Sequence, residues 1–196
     1  MTDGPWLWLL AGPNGAGKST YAPVLSSDVE ETVRPDELAY SLSASAPENA
    51  ALRAGRLAIE RIENLLEERR SFAVETTLSG RFHLDLARRA KNAGWNVGIL
   101  YIGIRSPRLA TERVRLRELM GGHHVPVADI RRRYARSLKN LAILWRTASR
   151  ILVLDNSSAR QPIKRVLEVR EGEIVFRLRR LPKWLSNSVG AMLRRS

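Results

Sequence analysis

The segment Gly12-Pro13-Asn14-Gly15-Ala16-Gly17-Lys18-Ser19 constrains this 196-residue chain more than any other stretch of it. It has the spacing G-x-x-x-x-G-K-[ST], it follows the short apolar run Trp6-Leu7-Trp8-Leu9-Leu10-Ala11, and a helical pattern opens at about Lys18. A buried strand that turns through glycines into a helix aims successive backbone N–H groups, and the positive end of the helix dipole, at one point. Such a nest holds phosphate, and the flanking strand and helix make the signal strong. Gly12, Pro13, Asn14, Gly15, Ala16, Gly17, Lys18, Ser19 and Thr20 are the expected nucleotide contacts. Lys18 would reach the β and γ phosphates, and Ser19 would hold Mg²⁺ through its hydroxyl.

Beyond this loop, β-like runs alternate with helical patterns. Strands are expected at 31–34, 72–76, 96–104 and 151–155, and helices at 48–70, 81–92, 107–120 and 127–150. Pro23 should shorten the helix after the loop, Pro35 should stop the second strand, and Gly94 should cap the 81–92 helix at its C-terminus. The alternation predicts an α/β fold: a three-layer α/β/α P-loop NTPase with a central, mainly parallel sheet. The tail departs from it. Residues 166–169 and 174–178 flank Arg170-Glu171-Gly172-Glu173 and read as a C-terminal β-hairpin, and the basic segment 183–196 reads as a terminal helix or a loose arm. The expected division is a P-loop kinase domain at 1–157 and a hairpin and basic tail at 158–196, packed on the same domain.

There is no cysteine, which excludes disulfides, thiolate metal sites and a cysteine nucleophile. The apolar run 5–11 is far shorter than the roughly 20 residues a membrane span needs, and no basic residues precede it as they would in a signal peptide. A cytoplasmic protein without membrane contact is expected. The net charge of +13 creates a field that attracts polyanions, whether nucleotides, sugar nucleotides or nucleic acids.

In parallel sheets the ligand sits at the carboxyl ends of the strands, so the polar residues after each strand are the candidates. Asp36 follows the second strand; it is either a base for a substrate hydroxyl or the N-cap of the helix behind it. Glu75 ends the third strand with Thr76 and Thr77 beside it, where it could orient substrate or hold a metal-bound water. Arg113 and Arg117, four apart on one helix face beside the flexible Gly121-Gly122, are candidates to neutralise a phosphoryl group in transfer, Arg113 first. His123 and His124 lack partners at metal-ligand spacing and read as loop or substrate contacts. Thr77-Leu78-Ser79-Gly80 is followed by Arg81 rather than the second glycine of a transport-ATPase signature, and no N-K-x-D segment follows a later strand. The donor is therefore read as ATP rather than GTP.

With these residues in place, the chain resembles the zeta-toxin family of P-loop kinases, in particular its short bacterial members described as predicted ABC-type ATPases. The matching pieces are AGPNGAGKST, RPDELA, FAVETTLSGR, GILYIGIRSPRLATERVRLR, GGHHVPVADIRRRYARSLKNL and LVLDNS, in order from Ala11 to Ser157. The resemblance implies a fold like that of nucleoside-monophosphate-type kinases and transfer of phosphate from ATP to the 3′ hydroxyl of UDP-N-acetylglucosamine. It assigns Asp36 as general base, Glu75 as substrate-binding carboxylate, Lys18 and Ser19 as phosphate and metal contacts, and Arg113 as the charge-stabilising arginine. Thr76, Arg81, Arg117 and His123 join Glu75 as substrate-binding candidates, Arg117 and His123 standing where the family's second lid arginine has no secure counterpart. An antitoxin is the partner the resemblance implies. The competing reading is an ATPase or nucleotide-switched binding protein whose basic surface holds nucleic acid or a partner.

Overall fold

The computed structural model describes residues 4–25, 27–42, 47–122, 124–158 and 163–193. Its seven strands are β1 (Trp6–Ala11), β2 (Glu31–Val33), β3 (Phe72–Thr76), β4 (Asn96–Gly103), β5 (Arg150–Asp155), β6 (Lys164–Arg170) and β7 (Glu173–Arg177). They form one sheet in the order β2-β3-β1-β4-β5-β6-β7. The first five run parallel, and β6 and β7 extend the sheet antiparallel. The helices are α1 (Lys18–Tyr21), α2 (Pro35–Leu42), α3 (Pro47–Glu67), α4 (Phe82–Asn92), α5 (Pro107–Leu119), α6 (Val127–Leu144) and α7 (Lys183–Leu193).

All eight residues of β4 are buried, as a strand covered on both faces must be. One side of the sheet packs Leu7, Leu9, Val74, Ile99 and Tyr101 against α3, α4, the C-terminal half of α6, and α7. The other packs Trp8, Leu10, Leu100 and Ile102 against α5 and the start of α6. The three layers and the mainly parallel sheet are those expected from the sequence. None of the described helices is long and apolar enough to cross a membrane.

Several element bounds shift, each for a local reason. Beyond α1, Pro23 sits in a 3-10 turn, Ala22–Leu25, in place of a continued helix. Pro35 does more than stop a strand: it opens α2, where its fixed φ suits the first turn. The helix expected to reach residue 150 ends at Leu144, because Trp145 is buried there and the chain must turn to enter the sheet. The Ser149 N–H then donates to the Val97 carbonyl at 2.8 Å and starts β5 beside β4.

The basic tail, left open between a helix and an arm, is the helix α7 through residue 193. Trp184, Leu185 and Val189 enter the core, and the Trp184 ring stacks on Tyr101 at 6.1 Å. Gly103 makes room for it, since a Cβ there would lie 2.0 Å from the indole. Trp184→Ala should therefore cost about 3–5 kcal/mol, read as a lowered urea midpoint with an unchanged slope.

Candidate active site

The phosphate loop leaves β1 pressed against β4. Gly12 has φ +148°, and a Cβ there would fall 2.2 Å from the Ile102 carbonyl oxygen, so only glycine fits. Gly17, at φ +91°, turns the chain into α1. The loop is held from behind by two side chains. Asn156, just after β5, donates to the Ala16 carbonyl at 2.8 Å, and Arg113 from α5 donates to the Gly15 carbonyl at 3.4 Å.

In front of the loop lies a cavity of about 300 Å³. Asn14, Gly15, Lys18 and Ser19 form one wall. Arg34, Asp36 and Glu37 come from the β2–α2 junction, and Glu75, Thr76 and Thr77 from the end of β3. His83, Arg117 and Arg133 enter from α4, α5 and α6 respectively. Four cationic side chains thus face three carboxylates.

Glu75 ties the halves together. Ser19 Oγ donates to its two oxygens at 3.1 and 3.3 Å, Lys18 Nζ stands 3.9 Å away, and Arg34 Nε also 3.9 Å. Arg34 is held in turn by Glu37 at 3.0 Å. Burial pulls the Lys18 pKa below the usual lysine value; Glu75 and Asp36 pull it back in part, and Arg117 pushes it down further. A buried ammonium left short of negative charge can accept a further anionic partner. Asn14 Oδ1 is buried without a hydrogen-bond partner among the described residues, which leaves an acceptor for a ligand or its water shell to satisfy. Ser19 Oγ and the Glu75 carboxylate are the hard oxygen donors Mg²⁺ prefers. Among the described residues no group of three histidine or acidic side chains is placed to hold a metal ion by itself.

His83 shares a hydrogen bond with Thr76 Oγ1 at 3.2 Å, and burial lowers its pKa to about 4. Its neutral ring can serve the cavity as a hydrogen-bonding group and not as a cation. Because the folded value lies below the unfolded one, the unfolded chain binds the extra proton first. Stability from this group is therefore complete above pH 6.5 and is lost as pH falls toward 4. His83→Gln should flatten this acid limb by on the order of 2 kcal/mol, measured as urea unfolding at pH 7 and pH 4.5 for both proteins.

Of the residues expected from the sequence, Asn14, Gly15, Lys18, Ser19, Asp36, Glu75, Thr76 and Arg117 come together around this cavity. Asp36 lies inside the first turn of α2, which begins at Pro35, so it does not stand at the N-cap position before the helix. Arg113 backs the phosphate loop and does not line the cavity. Thr20 is exposed on α1, and Arg81 is exposed just before α4. His123 lies outside the described residues.

The expected set omitted Arg34, His83, Arg133 and Asn156. Arg133 stood undistinguished in Arg131-Arg132-Arg133, yet it is three residues beyond the buried Ile130 and one before the buried Tyr134, at the inward edge of α6. His83 likewise falls four residues before the buried Ala87. Asn156 follows the β5 run and was readable as a strand-end polar residue.

Comparison with known proteins places this geometry in a family. At the level of fold, the AvrRxo1-ORF1 complex with AvrRxo1-ORF2, also crystallised with ATP, superposes with a TM-score of 0.70 at 19% identity. The match covers 87% of this chain and 60% of that one, so the chain spans less than two thirds of that protein. A structure from the PezAT chromosomal toxin-antitoxin system of Streptococcus pneumoniae superposes with a TM-score of 0.63 at 17% identity, covering 98% of this chain and 84% of that one. In sequence, an uncharacterized protein of Haemophilus influenzae is 31% identical over 123 residues, 63% of this chain and 88% of that protein. The zeta toxin family model matches residues 2–165, which include the phosphate loop and every element that lines the cavity. The chain therefore belongs to the zeta toxin family and is built on the fold of P-loop kinases.

Proposed function

We propose that the protein is an ATP-dependent phosphotransferase that moves the γ-phosphoryl group onto a hydroxyl of a small molecule, with UDP-N-acetylglucosamine the first candidate acceptor. The observation that carries this reading is the meeting of Lys18, Ser19, Asp36, Glu75, Arg117 and Arg133 around one cavity in front of the phosphate loop. A binding switch needs the loop. It has no need of a carboxylate positioned to take a proton.

In this reading Lys18 and the loop amides hold the β and γ phosphates, and Ser19 with Glu75 would hold Mg²⁺, which when bound would supply positive charge to the phosphate site. Asp36 takes the proton of the acceptor hydroxyl as its oxygen forms a bond to the γ-phosphorus and the bond to the β-phosphate oxygen breaks. Arg117 and Arg133, approaching from α5 and α6, stabilise the charge on the equatorial oxygens. Arg113 then acts from behind, keeping the Gly15 carbonyl turned away from the phosphates. On the acceptor side Thr76, Thr77 and neutral His83 offer hydrogen bonds to a sugar-like ring. An antitoxin that covers this mouth is the partner the family reading suggests.

The two arginine roles separate experimentally. Arg133→Ala should lower kcat by about 10²–10³ with ATP affinity changed less than fivefold. Arg113→Ala should weaken ATP binding and lower kcat by a smaller factor. A kcat for Arg133→Ala within twofold of the parent would remove Arg133 from the mechanism.

A further inference from the structure

On the sheet face that packs α5 and the start of α6, a row of side chains that the cavity does not use runs from β1 out to the edge strands. Trp6 and Trp8 on β1 stack at 5.3 Å with planes 16° apart. The Trp8 indole lies across β4 over Gly98, where a Cβ would come within 2.4 Å of the ring. It meets Arg150 of β5, whose guanidinium is 5.7 Å from the ring centre. Arg150 pairs with Glu168 of β6 at 3.1 Å, and Glu168 also holds Arg165 at 3.1 Å and Arg170 at 2.8 Å. Arg165 then lies 3.9 Å over the ring of Phe176 on β7.

Aromatic planes and guanidinium planes thus follow one another across five strands, a span of about 19 Å at the usual strand spacing. Among the described residues no member of β6 or β7 joins the core on this side, so the outer half of the stripe is uncovered. The Arg165 and Arg170 side chains are 50% and 58% exposed, while Glu168 is buried beneath them. Three arginines against Glu168 and Glu173, the latter opposite Arg170 in the hairpin register, leave one net positive charge on this face of a protein whose net charge is +13.

We propose that the outer part of this sheet face, on β6 and β7, binds single-stranded nucleic acid. Bases would stack on Phe176 and on the guanidinium planes, and phosphates would pair with Arg165 and Arg170. A sheet that presents aromatic and guanidinium planes suits unpaired bases, whose π-faces are free. A duplex keeps its bases stacked inside, and an acidic peptide would use the charges and leave the planes idle. Trp6 and Arg150 begin their strands, at the end of the sheet opposite the phosphate loop. The face is therefore separate from the phosphoryl-transfer cavity, and the inference does not depend on the kinase reading.

Fluorescence anisotropy with a fluorescein-labelled 20-mer of uridine, at low salt and over a salt series, tests it on the full chain. Saturable binding is expected, with log K falling against log salt at a slope of about −1.4 if two phosphates are neutralised. R165E/R170E should weaken binding at least tenfold, and R88E/R146E, a reversal of two exposed arginines elsewhere, by less than threefold. Phe176→Ala removes no charge and should still weaken binding by about fivefold or more. Binding of a fluorescent ATP analogue checks that each variant is folded and should not change. The proposal is overturned by absence of saturable binding, by equal loss in both double variants, by Phe176→Ala binding like the parent, or by polyglutamate or duplex DNA competing as well as the unlabelled strand.

Discussion

Lys18→Ala should abolish ATP-dependent phosphoryl transfer, a loss of at least about 10³ in kcat/KM, while the protein stays folded. The ammonium is the cationic group that the phosphate loop itself supplies, and its burial depresses its pKa. Binding ATP would reverse that penalty, so the lysine's electrostatic energy is released only when phosphate arrives. Its removal should therefore cost little stability, because a poorly solvated charge goes with it and Glu75 keeps the hydroxyl of Ser19 and the guanidinium of Arg34 nearby. Thermal unfolding and fluorescent-nucleotide titration should give a melting temperature within a few degrees of the parent's and nucleotide affinity reduced at least tenfold. A Lys18→Ala protein as active as the parent would exclude this loop as the donor site.

Asp36→Ala separates chemistry from binding. A general base contributes about 10²–10⁴ to the rate, so kcat should fall by that factor while ATP affinity stays within about twofold of the parent. Affinity is expected to persist because Asp36 enters from the β2–α2 junction, whereas the phosphate loop belongs to the β1–α1 turn. Asp36→Asn should lose as much activity as Asp36→Ala, since an amide keeps the shape and cannot take the proton. If instead both variants lose ATP affinity and keep the rate at saturation, Asp36 belongs to nucleotide binding.

The donor half of the site was legible in the sequence because it is local. Eight consecutive residues make the phosphate loop, and its neighbours in the chain are the strand and helix it joins. Asp36 and Glu75 were legible at one remove, because a carboxylate after a parallel strand must face the same edge of the sheet. The arginines were harder, since a helix in a chain with 33 basic residues offers many candidates and periodicity only divides inward from outward faces. Arg113 and Arg117 share a face by spacing, yet Arg113 reaches the back of the loop and Arg117 lines the cavity. Spacing alone does not say which turn of that face meets the cavity.

The C-terminal part shows the other limit. Phe176 and Trp184 look equally isolated in the sequence, but Trp184 fills the gap over Gly103 while Phe176 lies outside both cores under Arg165. Arg165, which lies over Phe176, is eleven residues before it in the chain, and only the β6–β7 pairing brings the two together. The end of α6 at Leu144 was similarly hidden, because the apolar run continues through Trp145 and a tertiary requirement stops the helix.

The most direct test of the kinase reading is transfer of label from γ-labelled ATP to a panel of UDP-sugars, nucleosides and free sugars, run in parallel with the parent protein and Asp36→Ala. The account predicts a labelled organic product from at least one hydroxylated acceptor with the parent, and none above background with Asp36→Ala. Label recovered only as free phosphate for every acceptor, at equal rates in the two proteins, would contradict it.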